Sequence, residues 1–140
     1  IGDGAGNIGW GDVATVGLKS RKTAQVTQSI ASNAAANVSI STAKGFALYS
    51  IETSHAAWVT LYTSTTARTA DAGRLETTDP TPGSGVLSEV ITTGAVTQLI
   101  TPGTICFNSS PTATTYAKVV NKSGSTANVT VTLTYVQIEN

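Results

Sequence analysis

Residues 127–138 read Ala-Asn-Val-Thr-Val-Thr-Leu-Thr-Tyr-Val-Gln-Ile. Val129, Val131, Leu133 and Tyr135 alternate with Asn128, Thr130, Thr132 and Thr134, a period of two that gives a strand with one face in a core and the other in water. Just upstream, Lys122-Ser123-Gly124-Ser125 is a turn sequence, and Tyr116–Asn121 precedes it as a second run. The spacing predicts a hairpin here, with the turn joining two antiparallel strands.

The same alternation recurs toward the N-terminus. Val38 and Ile40 alternate with Asn37, Ser39 and Ser41, and the runs Phe46–Thr53 and Trp58–Thr63 flank Ser54-His55-Ala56-Ala57, a second predicted hairpin. In the first of these runs Ala47, Tyr49 and Ile51 share one face, with Phe46, Leu48 and Ser50 on the other; in the second, Val59 and Leu61 oppose Trp58, Thr60 and Tyr62. Apolar groups on two faces suit a central strand of a sandwich or an interface. Further strands are expected over Val86–Thr92, Thr97–Thr101 and Ile105–Phe107, the last two separated by Pro102-Gly103. Eight or nine short strands at turn-marked spacing predict an all-β, antiparallel β-sandwich, with a jelly roll as the preferred topology and no long helix.

Composition agrees with a sheet protein. Charged residues make up 11% of the 140 residues, less than half the usual quarter, and Thr, Ser and Ala fill the gap. Threonine is β-branched and carries a hydroxyl, so it suits the wet face of a pleated sheet. Eight basic and eight acidic residues leave the formal charge at zero. Lys19, Arg21 and Lys22 form the only short basic cluster, and nucleic acid, which needs a basic stripe, is not an expected partner. Zero charge also fails to keep copies apart, so self-association is expected. No run approaches the ~20 apolar residues that span a bilayer, so membrane insertion is not expected.

Residues 1–12 are Gly-rich with a single Trp10 and no apolar periodicity, and read as a flexible arm or linker ahead of one domain over 13–140. The chain opens at Ile1, an end expected to come from processing or from excision out of a longer polypeptide. Gly4, Gly6 and Gly9 match G-x-G-x-x-G, but no strand precedes them and no helix pattern follows, so no dinucleotide is expected. Asp3 and Asp12 lack the spaced oxygen ligands of a calcium loop.

Chemistry is scarce. Cys106 is the only cysteine and His55 the only histidine; one of each cannot build a zinc site, and no G-x-S-x-G elbow accompanies His55. Cys106 reads as a buried small hydrophobe and His55 as a turn residue. Glu52, Glu76, Asp79 and Glu89 are the carboxylates a glycosidase would draw on, but they are read as solvated. No cofactor, metal or catalytic centre is expected. Trp10, Trp58, Tyr49 and Tyr62 form a candidate sugar platform, with core or interface packing the preferred use. Sequons begin at Asn37, Asn108, Asn121 and Asn128, which a chain this rich in Ser and Thr produces readily.

The longest stretch without strand pattern, Thr65–Gly85, holds Arg68, Asp71, Arg74, Glu76 and Asp79. Its ordinary reading is a surface loop stapled to itself by Arg-carboxylate pairs; the functional alternative is that Arg68, Asp71 and Arg74 dock it on a neighbouring subunit. Trp58, Tyr62 and Trp10 complete the candidate contact residues.

Several phrases together resemble a domain in virion structural proteins of tailed phages, particularly those of marine cyanobacteria. They are Lys44-Gly45-Phe46-Ala47-Leu48-Tyr49-Ser50-Ile51-Glu52-Thr53-Ser54, Ala57-Trp58-Val59 and Ala67-Arg68-Thr69-Ala70-Asp71-Ala72, continued by Glu89-Val90-Ile91-Thr92-Thr93-Gly94 and Asn121-Lys122-Ser123-Gly124. The likeness covers about residues 44–139. It implies a non-enzymatic component of the virion exterior, either a tail-fibre or adhesion domain or a protein decorating the capsid. It also implies partners: copies of the chain, as a trimer first, other virion proteins, and a host-surface glycan. The Gly-rich arm tilts the expectation to the fibre. A secreted carbohydrate-binding module is the reading from a different class.

Overall fold

A computed structural model describes residues 19–140. Trp10, the Gly-rich arm and the first residues of the expected domain lie outside the described residues. Eight strands follow one another: β1 (Lys22–Ile30), β2 (Ala35–Ser41), β3 (Gly45–Thr53), β4 (Ala57–Tyr62), β5 (Val86–Ile91), β6 (Val96–Phe107), β7 (Thr114–Asn121) and β8 (Ala127–Glu139). Among the described residues there is one short helix, α1 (Thr65–Ala70), between β4 and β5.

The strands form two four-stranded antiparallel sheets, sheet A in the order β1-β8-β3-β6 and sheet B in the order β2-β7-β4-β5. This nesting, in which successive strands alternate between sheets except for β4 and β5, is the jelly roll. The alternation over 129–135 does what its period requires: Val129, Val131, Leu133 and Tyr135 are buried in the core, between the two sheets. Ile40, Ile51, Leu61 and Val59 meet them from other strands, each with no exposed surface. Each such side chain adds about 1.5–3 kcal/mol. The Phe46 and Tyr135 rings pack with centroids 4.9 Å apart.

Two predicted pairings are corrected. β3 pairs with β6 and β8, and β4 with β5 and β7, so residues 54–57 carry the chain from one sheet to the other and make no hairpin. Likewise β7 and β8 belong to different sheets, and Lys122–Ser125 crosses the sandwich. The turn residues mark where the chain reverses, but two inner faces that must both be covered decide which strands pair.

Three local corrections follow. Pro102-Gly103 does not end a strand: β6 runs through it, with residues 100–103 standing opposite Tyr49 alone, between the pairs Leu48↔Thr104 and Ser50↔Leu99. Pro fits there because β6 is an edge strand and the stretch is bulged. The same irregularity in β3 shifts the alternation, so that Ile51 joins Phe46 and Leu48 in the core while Ala47 and Tyr49 face outward. The segment after Thr63 opens as α1, whose N-cap Ser64 accepts a hydrogen bond from the Ala67 backbone N–H.

Candidate functional site

Every residue of β4 is buried. Ala57, Val59 and Leu61 enter the core; Trp58, at 6% exposure, and Tyr62, at 1%, lie on the opposite face of sheet B. Strand register places Glu89, Thr60 and Lys118 side by side across β5, β4 and β7 on that outer face. The segment between β4 and β5 supplies the groups that meet this row.

Arg74 binds Asp71 in a bidentate fork, Nε to Oδ1 at 2.8 Å and Nη2 to Oδ2 at 3.0 Å, and also donates from Nη2 to Glu89 Oε2 at 2.6 Å. Glu89 Oε2 further accepts from Trp58 Nε1 at 2.8 Å and Thr60 Oγ1 at 3.2 Å. Tyr62 OH donates to Asp71 Oδ2 at 2.8 Å, and Lys118 Nζ donates to the Asp71 carbonyl at 3.1 Å. The Arg74 and Lys118 cations stand 5.3 and 4.5 Å from the Trp58 ring centroid, where the electron-rich face attracts them. Arg74 thus ties the segment to itself and to the sheet at one point.

Arg68 belongs to a different contact. Its Nη1 donates to the carbonyls of Val38 at 2.9 Å and Ala117 at 3.3 Å, on β2 and β7, and its guanidinium lies over Tyr116 at 5.5 Å. Arg68 Nε is buried without a partner, as is Glu76 Oε2; the other Glu76 oxygen holds Lys122 at 3.1 Å. Gly85 closes the segment at φ +90, with Ala67 and Thr63 packed over its α-carbon.

The surroundings tune these groups. Burial pulls the Asp71 carboxyl upward, but hydrogen bonds from Arg74 and Tyr62 and the charges of Arg74 and Lys118 outweigh it and hold it below its ordinary value. Tyr62 is raised, first by burial and then by donating to Asp71. Arg74 is raised by its bond to Asp71, against the cost of burial, with Glu89 adding to it. Lys118 is lowered, chiefly by burial. Asp71 is therefore ionised and Tyr62 protonated at neutral pH, each with its hydrogen-bonding capacity engaged.

Elsewhere the nucleophile candidates are placed for structure. Burial pushes the Cys106 thiol up to about 12, which suppresses the thiolate. Ser54 Oγ meets His55 Nδ1 at 2.9 Å but accepts the Thr130 backbone N–H at 2.8 Å as a strand tie. Among the described residues, no cluster of three or more His, Cys, Asp or Glu is placed to hold a metal ion, and no helix is long and apolar enough to cross a membrane. Tyr49 lies on the outer face of sheet A, so Trp58, Tyr62 and Tyr49 share no platform.

Sequence reasoning missed Glu89 and Lys118 as partners of Arg74, because only strand register joins them. It also read two asparagines only as chance sequons. Asn121 is fully buried and donates from Nδ2 to the carbonyls of Ile30 and Ser125, both at 2.7 Å, while Oδ1 accepts from Ser123 N at 2.9 Å. Asn108 repeats the motif: Nδ2 donates to Thr112 Oγ1 and the Thr114 carbonyl, and Oδ1 accepts from Ser110 N. The available signal was Asn-x-Ser read as an Asx turn.

These observations define a jelly-roll domain with the middle of one sheet face covered by its own polar segment. No family model, no curated protein and no solved structure matches the chain.

Proposed function

We propose that this domain is a non-enzymatic structural component of the exterior of a tailed-phage virion, a fibre or adhesion domain that assembles with copies of itself on the particle. The observation that carries the reading is the contrast between the two outer faces. On sheet B residues 64–85 cover the middle of the outer face, over β4 and β7, through the clustered ionisable groups, and leave Ile91 of β5 half exposed. Sheet A leaves Leu99, Ile105, Phe107 and Tyr49 exposed beside β6, which is terminal in its sheet. An apolar face next to an open strand edge favours association with another protein surface, and a chain of zero formal charge offers little repulsion between copies. The likeness of residues 44–139 to virion proteins supplies the setting.

The test is to purify virions, locate the protein by mass spectrometry and labelled-antibody imaging, and sediment the isolated full chain at tens of micromolar. The expected result is a particle-borne protein on fibres that sediments as an oligomer, with a trimer first. A protein absent from particles and monomeric in solution would overturn the reading.

A further inference from the structure

The outer face of sheet A contains a groove of about 640 Å³, lined by Arg21, Ala47, Tyr49, Leu99, Ile100 and Ile105 among others. Leu99 and Ile105 are 63% and 61% exposed, large values for branched apolar side chains that line a groove. The Arg21 guanidinium lies 4.7 Å from the Tyr49 ring centroid and forms one wall. Nothing in residues 19–140 fills it. We propose that residues 1–18 of one copy occupy this groove on a neighbouring copy. The inference rests on the self-assembly reading above and names the segment that would join the copies.

Composition matches segment to groove. Residues 1–18 include Ile8, Trp10, Val13, Val16 and Leu18, interspersed with glycines that permit close approach. They carry two acidic residues, Asp3 and Asp12, and no basic one, a net −2; residues 19–140 hold eight basic and six acidic residues, a net +2. Asp12 sits two positions from Trp10, so an aromatic and a carboxylate arrive together at a groove that offers apolar walls and the Arg21 cation. Guanidinium and carboxylate make directional paired hydrogen bonds.

Geometry favours the neighbour over the chain's own segment. β1 and β6 are opposite edges of sheet A. The chain's own residues 1–18 therefore join on the β1 side, where Arg21 already lies over Tyr49. From β1 to β3 is two strand spacings, about 10 Å, a distance that about three extended residues span. Eighteen residues reach roughly 60 Å, far beyond a body whose radius of gyration is roughly 14 Å by size. Extended, residues 1–18 can carry Trp10 and Ile8 past the chain's own groove and within range of a second copy. Among the described residues β6 is the edge strand beside the groove, and an edge strand can accept an incoming one.

The test uses the full chain with a photoreactive benzophenone side chain in place of Ile8. Equal amounts of light and 15N-labelled protein are mixed, irradiated and mapped by mass spectrometry. Crosslinks from position 8 to the stretch 99–105 or to Tyr49, in peptides of mixed isotope, are the expected result. Leu99→Asp, a change at an exposed position, should remove these crosslinks and raise the concentration needed for association at least tenfold; Leu75→Asp, exposed on the segment that covers the other sheet, should do neither. Groove crosslinks of single isotope would overturn the exchange between copies. An oligomer without groove crosslinks would overturn this inference and leave self-assembly standing, whereas a monomer would overturn both.

Discussion

Arg74 and Asp71 form a two-point fork, 2.8 and 3.0 Å long, with both side chains almost fully removed from water. Asp71 also accepts from Tyr62, and Arg74 also donates to Glu89, so deleting either member strands several buried groups. Asp71→Ala is expected to cost about 3 kcal/mol, the scale for breaking a buried pair from one side. Urea unfolding followed by Trp fluorescence measures it. The far-UV sheet spectrum should not change, because the fork holds residues 64–85 and no ladder pair of the sheets.

Acid should loosen the same contact. The folded Asp71 carboxyl lies below its ordinary value of 3.8, so its stabilisation is complete well above that value and is lost as pH falls from about 4 through the lower folded value. Arg74 and Lys118 keep their charge throughout this range, and Glu89 faces the same guanidinium. Stability against urea is expected to be flat from pH 7 to about 5 and to fall below about 4. Asp71→Asn should flatten that acid limb. A limb of equal steepness in Asp71→Asn would place the acid sensitivity elsewhere.

How much of this was legible in the sequence varies by level. The strand over 127–138 was plain because its valines and threonines alternate without a break. Its partners were not, since Lys122–Ser125 looks the same whether it closes a hairpin or crosses a sandwich. Ile51 was placed on the wrong face because a bulge opposite residues 100–103 adds no letter that breaks the alternation of β3. The two-faced apolar character of Trp58–Tyr62 was visible, but what covers the second face was left open. The covering segment lies immediately downstream, and the three charges in it that suggested docking between subunits, Arg68, Asp71 and Arg74, each bond the segment to its own sheet. Glu89 and Lys118 meet through the pairs Thr60↔Glu89 and Thr60↔Lys118, which sequence spacing does not encode.

Gly85 supplies a sharper test of how tightly that segment is seated. A β-carbon there would stand 2.6 Å from the Ala67 Cβ and 2.8 Å from Thr63 Oγ1, at φ +90. Gly83 has φ +81 but open space around it. Gly83→Ala is expected to cost about 1–2 kcal/mol, the conformational penalty alone. Gly85→Ala should exceed it by at least about 1 kcal/mol, since α1 must shift as well. Thermal and urea unfolding of the two variants give the difference, and equal losses would mean that α1 yields freely.

The last prediction concerns Asn121, where a sequon conceals a structural tie. Its side chain is fully buried and uses both ends: Nδ2 donates to two carbonyls at 2.7 Å, and Oδ1 accepts the Ser123 N–H at 2.9 Å. One of those carbonyls belongs to Ile30 at the end of β1 and the other to Ser125 just before β8, so the amide joins two loops at one end of the sandwich. Asn121→Ala removes all three bonds and leaves two carbonyls short of a donor, an expected loss of about 2–3 kcal/mol. Asn121→Asp keeps the acceptor for Ser123 but turns a buried carboxylate toward the carbonyls of Ile30 and Ser125, where charge has no partner. At pH 7 it should be the more damaging change, and it should recover part of the loss as acid protonates the carboxyl and restores one donor. Asn128→Asp, at an exposed sequon near the start of β8, should change stability by less than about 0.5 kcal/mol. Urea midpoints of the three variants at pH 7 and pH 5 decide it: if Asn121→Asp tolerates pH 7 as well as Asn128→Asp does, the amide is not the tie that its hydrogen bonds describe.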